Sequence, residues 1–164
     1  IGKRSPGSMT RHPSLSRLTK DHHRGIALAL RCRKQALGQI RPTGIQGWQA
    51  RAKELTDFFA RNLDGHFRAE EGILFPFVAK AHPDAGLLIE SLLREHEKIR
   101  RGVACLPAET DPAKLLFELG DVLEKHIRRE EKELFPLVEA GLAGAEADRV
   151  RAEIERLAVA PKPE

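Results

Sequence analysis

Apolar residues recur at three- and four-residue intervals along most of the chain, the period of an α-helix with one buried face. The first such stretch runs from about Ser14 to Leu37, and Gly38 stands where a helix stops. A loop with Gly and Pro follows (GQIRPTGIQG, 38–47). A second helix is predicted from Trp48 to about Ala79, with Pro76 kinking or ending it near Phe75. His82-Pro83-Asp84 opens a third, to about Cys105, with Pro83 suited to the first helical position. Asp111-Pro112 opens a fourth, to about Ala140, and a shorter fifth covers Ala145–Ala158 ahead of the tail APKPE. Alternating runs of β-branched or aromatic residues are missing, as are Asn-Gly and Asp-Gly turns. The pattern predicts an all-α fold, an up-down-up-down four-helix bundle with a short extra C-terminal helix.

Composition narrows the class. A chain of 164 residues with 41% hydrophobic content suits a single domain, expected over residues 9–160. Residues 1–8 (IGKRSPGS) precede the single methionine, Met9, and read as a vector remnant. Without Lys3 and Arg4 the formal charge falls from +4 to +2, too little to indicate a nucleic-acid partner. No stretch reaches the ~18 apolar residues of a membrane span. Cys32 and Cys105 form neither a disulfide framework nor a CxxC pair, so two free thiols and a cytoplasmic location are expected.

The chemistry lies in an internal repeat. Residues 66–78 (HFRAEEGILFPFV) and 126–138 (HIRREEKELFPLV) agree at eight of thirteen positions, at an offset of 60. Each copy follows a shorter match, Leu18-Thr-Lys-Asp-His22 and Leu92-Leu-Arg-Glu-His96, both Leu-x-x-acid-His. At roughly 100° per residue, i and i+4 share a helix face, so His66 pairs with Glu70 and His126 with Glu130. Each histidine lies in an apolar stripe: Leu63 and Phe59 beside His66, Leu119, Val122 and Leu123 beside His126, Leu92, Leu93, Ile99 and Val103 beside His96. His22 lies at the centre of the stripe drawn by Leu15, Leu18, Ile26 and Ala29, with His23 at its edge. Each long helix is therefore expected to point one histidine inward.

A lone histidine on an apolar face is usually core packing. Four of them with two glutamates at matching registers are not explained that way, because buried carboxylates cost several kcal/mol without compensation. A pair of first-row metal ions removes that cost, and His22, His66, Glu70, His96, His126 and Glu130 form a donor set that suits two Fe ions, with Mn or Zn as alternatives. Glu71 and Glu131, one residue further on, turn ~140° from their histidines and are expected to be solvated or to stand behind the ligands. The Leu-Phe-Pro kink downstream is not expected to disturb this register. His12 and His82 sit at helix starts, where capping is the default. Glu-x-x-His, HExxH, GxSxG, P-loop and GxGxxG patterns do not occur at these positions.

The repeated H-x-x-x-E-E-x-x-L-F-P, with one histidine on each intervening helix, resembles the hemerythrin-like, or HHE cation-binding, domain family over about residues 15–140. The resemblance implies a four-helix bundle around a non-haem di-iron centre, with the six residues above as ligands and Glu70 and Glu130 bridging. Oxygen-carrying members have HxxxH on the third helix, whereas the positions four away from His96 are Leu92 and Arg100. Those members also carry the last carboxylate five residues after the fourth-helix histidine, where this chain has Glu131 as well as Glu130 at +4. The chain thus resembles the broader branch with fewer histidines, whose members are linked to sensing or handling O2, NO, peroxide or iron. Binding or sensing O2 or a related small oxidant is the implied function. A di-iron enzyme reducing peroxide or NO, and a structural metal-binding interaction module, are the alternatives.

Overall fold

The computed structural model describes residues 11–159; the expected vector remnant (1–8) and the tail APKPE lie outside the described residues. Every regular element among them is helical. Helix α1 (Ser16–Ala36) follows a 3₁₀ turn at Pro13–Leu15, where His12 Nδ1 accepts the Ser14 N–H at 3.1 Å. It ends as expected at Gly38, whose φ of +73° lets the Gly38 N–H reach Gln35 O (3.1 Å) and the Gln39 N–H reach Lys34 O (2.9 Å). Buried Gln35 donates to Ile40 O and Pro42 O and so folds the loop back over the helix end.

The second long helix begins at Ile45, three residues before the expected Trp48, after Gly44 at φ +77°. It is built from α2 (Ile45–Phe58), a π turn (Phe59–Leu63), α3 (Asp64–Ala69), a second π turn (Glu70–Leu74) and α4 (Phe75–Ala81). The helix does not end at Phe75. Pro76 has no N–H, and its ring would press on the carbonyl four residues back. The preceding turn widens instead, and the Phe75 N–H donates to Glu70 O, five residues earlier. The wide turn starts at Glu70 itself, so the helix there is not regular α, yet the expected register survives and Glu70 stays on the His66 face. The other copy does the same. A 3₁₀ turn at Pro83–Ala85 leads into α5 (Gly86–Cys105), and then α6 (Ala113–Arg129), a π turn (Glu130–Leu134) and α7 (Phe135–Gly141) follow, with the Phe135 N–H donating to Glu130 O. Helix α8 (Gly144–Ala158) closes the described chain.

Two apolar clusters form the core. One gathers Leu15 and Leu18 from the start of the chain, Phe75 and Val78 of α4, Leu92 of α5, Phe135 and Val138 of α7, and Val150 and Ile154 of α8. The other gathers Leu28 and Cys32 of α1, Leu55 of α2, Phe67 of α3, Ile99 and Val103 of α5, and Leu123 and Ile127 of α6. Along α1 the switch between clusters falls between Leu18 and Leu28, and along α5 between Leu92 and Ile99. His22 and His96 stand in those gaps, so a polar layer crosses the bundle between two dry ones. One stripe residue is corrected: Leu93 is 38% exposed, because α5 buries Leu92, His96, Ile99 and Val103 instead. No described helix is long and apolar enough to cross a membrane.

The level of the layer is held by close helix contacts. α1 packs along α6, and α3 packs against α8. A Cβ added at Gly120 would lie 2.6 Å from Ala29 O, so α6 approaches the α1 backbone only because that side chain is missing. Gly65 likewise faces the Ala158 backbone. Gly120→Ala should force α1 and α6 apart and lower stability by about 1–3 kcal/mol; thermal unfolding checks this, and an unchanged melting temperature would mean that the helices separate freely.

Candidate metal centre

The polar layer holds all six sequence-predicted residues. His22 (α1), His66 (α3), His96 (α5) and His126 (α6) are each 1% exposed or less, and Glu70 and Glu130, the first residues of two π turns, are fully buried. His23 lies on the surface. The i, i+4 geometry holds within each copy: His66 Nε2 is 2.9 Å from Glu70 Oε1, and His126 Nε2 is 2.8 Å from Glu130 Oε1. His22 Nε2 lies 3.0 Å from Glu130 Oε2, so Glu130 touches histidines of two helices. Free Cys32 is buried in the neighbouring apolar cluster, where burial pushes its thiol up to about 12, and it takes no part.

Every imidazole is oriented from behind by a carboxylate on another helical segment. The Nδ1–H of His22 donates to Glu131 (2.7 Å), that of His66 to Asp21 (3.1 Å), that of His96 to Glu71 (3.0 Å) and that of His126 to Glu95 (2.6 Å). Of the two roles open to Glu71 and Glu131, they take the one behind the imidazoles. Asp21 and Glu95 were not foreseen as part of the site, although they are the acid of the Leu-x-x-acid-His match. Each precedes one histidine and holds another, a relation invisible until the helices are packed. Rings complete the cage: Phe135 stacks on His22 at 5.0 Å between centroids, Phe67 on His96 at 3.8 Å and Phe75 on His96 at 5.5 Å.

With its proton on Nδ1, a neutral imidazole turns an unshared pair outward from Nε2. Those nitrogens meet. His22 and His66 bring their Nε2 atoms to 3.1 Å, and so do His96 and His126. Both Glu70 oxygens and Glu130 Oε1 are buried with no hydrogen-bond partner. Four imidazole nitrogens and the orphaned carboxylate oxygens facing one another form a donor set that suits a cation able to displace the ring protons. Two groups could hold a metal ion, His22–His66–Glu70–Glu130 and Glu70–His96–His126–Glu130, with ligand atoms within 4.8 Å of one another in each.

The titration of these groups without a metal reflects the same crowding. Burial and then the charge of Glu130 push the Glu70 carboxyl well above its usual range. Burial also opposes charge on Glu130, but the facing His126 overrides it and holds Glu130 well below that range. His126 is driven down by burial and more strongly up by Glu130, Glu95 and Glu70, to about 10. Glu71 is raised by burial, yet its bonds from His96 and Arg100 bring it down to about 2.

A family model described as the hemerythrin HHE cation binding domain matches residues 14–138, which is 125 of the 164 residues. The chain belongs to this family. No curated protein and no solved structure matches it. It is a hemerythrin-like cation-binding domain, and its His/Glu cluster could hold a metal. Both the Asp21 and Glu95 supports fall within the matched span, whereas Arg11, which reaches Glu131 from outside it, does not.

Proton linkage gives the metal-free domain a defined pH profile. A group whose pKa is raised on folding stabilises below its unfolded value and loses that contribution as pH rises; His126, His22 and Glu70 are of this kind. Glu71, lowered to about 2, stabilises above its ordinary 4.5 and loses its contribution as pH falls toward 2. Chelator-treated protein should therefore have its highest melting temperature between about pH 4.5 and 6.5, with lower values on either side. A melting temperature still climbing from pH 6.5 to 9 in metal-free protein would contradict the protonated pairing in the core.

Proposed function

We propose that the domain is an up-down-up-down bundle holding two metal ions, iron in the cell, at which it binds or senses O2 or a related small oxidant such as NO or peroxide. The observation that carries this reading is the pair of converging Nε2 contacts beside orphaned Glu70 and Glu130 oxygens. One ion would take His22 and His66, the other His96 and His126, and the two glutamates would serve both. A mixed imidazole and carboxylate set suits iron, and the paired ions supply a redox-active seat for a small ligand. The protein's own part is to exclude water and to fix the donors. The six side chains are buried to 1% exposure or less, so bulk water and large molecules are kept from the layer. Each Nδ1–H···carboxylate bond fixes the tautomer that leaves Nε2 free and raises its basicity.

Protein purified from iron-replete cells should contain close to two irons per chain and show a visible charge-transfer band that changes on adding O2, NO or azide. Zero uptake after anaerobic reconstitution with iron(II), or a band indifferent to all three, overturns the reading. Glu70→Ala and Glu130→Ala should each abolish the paired site, since each carboxylate would be lost to both ions. Bound metal should also stabilise the fold by about 4 kcal/mol at a thousand-fold excess over Kd. An unchanged melting temperature after verified metal removal would place the ions elsewhere.

A further inference from the structure

The two candidate metal positions have matching inner donors, two imidazoles each and two shared glutamates. Their surroundings differ one layer out. Behind His96 and His126, both carboxylates are pinned by arginines: Arg100 Nη1 and Nη2 bond Glu71 at 2.6 and 3.0 Å, and Arg129 Nη1 bonds Glu95 at 2.7 Å. Behind His22 and His66 only one carboxylate is treated this way, with Arg11 Nε donating to Glu131 Oε2 at 2.8 Å. Asp21, which takes the His66 Nδ1–H, is 3% exposed, and among the described residues no lysine or arginine lies within ion-pair distance of it.

We infer that this missing arginine makes the two positions unequal, the His22–His66 position holding its cation more tightly because one more negative charge stands behind it. The layer behind His96 and His126 is neutral (Glu71 and Glu95 against Arg100 and Arg129), whereas Asp21 and Glu131 against Arg11 leave one negative charge. The next carboxylates out keep the same sign. Glu97 and Glu133, touching Arg100 and Arg129, are 58% and 50% exposed and screened by water, while Glu139, touching Arg11, is 20% exposed and adds to the negative side. The effect reaches the ion through the imidazole: an uncompensated carboxylate on Nδ1–H draws on that proton and leaves Nε2 richer in charge. Asp21 is thus a positioning residue that ranks two otherwise equivalent positions.

The inference rests on the paired-metal reading and is tested with zinc(II), which binds without redox chemistry. Full-length, metal-free protein is titrated calorimetrically in competition with a chelator of known affinity. Wild type should take up two ions in steps separated by at least about tenfold, the scale of such carboxylate supports on metal affinity. Asp21→Asn keeps an oxygen to accept the His66 Nδ1–H and removes only the charge. It should weaken the tighter step about 10- to 100-fold and leave the looser one unchanged, so that the steps merge. Arg129→Met, at a partly exposed position, should tighten the looser step and merge them from the other side; it decides alone if circular dichroism shows Asp21→Asn to be unfolded. Equal steps in wild type, or Asp21→Asn weakening the looser step, overturn the inference while leaving two ions bound. Failure to bind two zinc ions overturns the paired-metal reading beneath it.

Discussion

Six ionisable side chains buried at one level of a helical bundle set the terms for the rest of this molecule. Two carboxylates and four imidazoles without solvent would cost the fold many kcal/mol if left to themselves. The cost is contained by geometry: each imidazole is tied from behind to a carboxylate, which fixes where its free nitrogen points. Those nitrogens and the orphaned oxygens of Glu70 and Glu130 then share one small volume that suits cations. The apolar clusters above and below keep water out of it, and close approaches such as Gly120 to Ala29 O hold the helices at the required level.

The internal repeat solves a symmetry problem. Two copies of one helix pair place equivalent donors opposite one another, and the acids of each copy support histidines within and across the pairs. The wide turns before Pro76 and Pro136 belong to the same solution. Each begins at the glutamate that faces the centre, and each sets the following residue, Glu71 or Glu131, behind a histidine of another helix. The copies are not identical, however. A further wide turn at Phe59–Leu63 has no counterpart in α6, and Phe67, whose ring stacks on His96, is matched in the second copy by the aliphatic Ile127.

Enclosure is the centre's second structural feature. The layer is closed off by packed side chains, and the stacked rings of Phe67, Phe75 and Phe135 hold the imidazoles against tilting. Arg11, Arg100 and Arg129 connect the supporting carboxylates to the surface. The electrostatics of the buried layer are thereby set partly by residues that touch neither an imidazole nor a glutamate of the centre.

Helix number, the inward histidines and the choice of Glu70 and Glu130 over their neighbours were legible in the sequence, because helical periodicity and the repeat are local properties that survive without knowledge of packing. His22 over His23 was legible for the same reason. The wide turns were not, since whether a proline ends a helix or widens the turn before it depends on what the surrounding helices hold in place. Nor was the pairing of supports with imidazoles: Asp21 precedes His22 yet serves His66, and Glu131 follows Glu130 yet serves His22. Those bonds join residues up to 109 positions apart, and only packing the helices together decides which acid meets which ring.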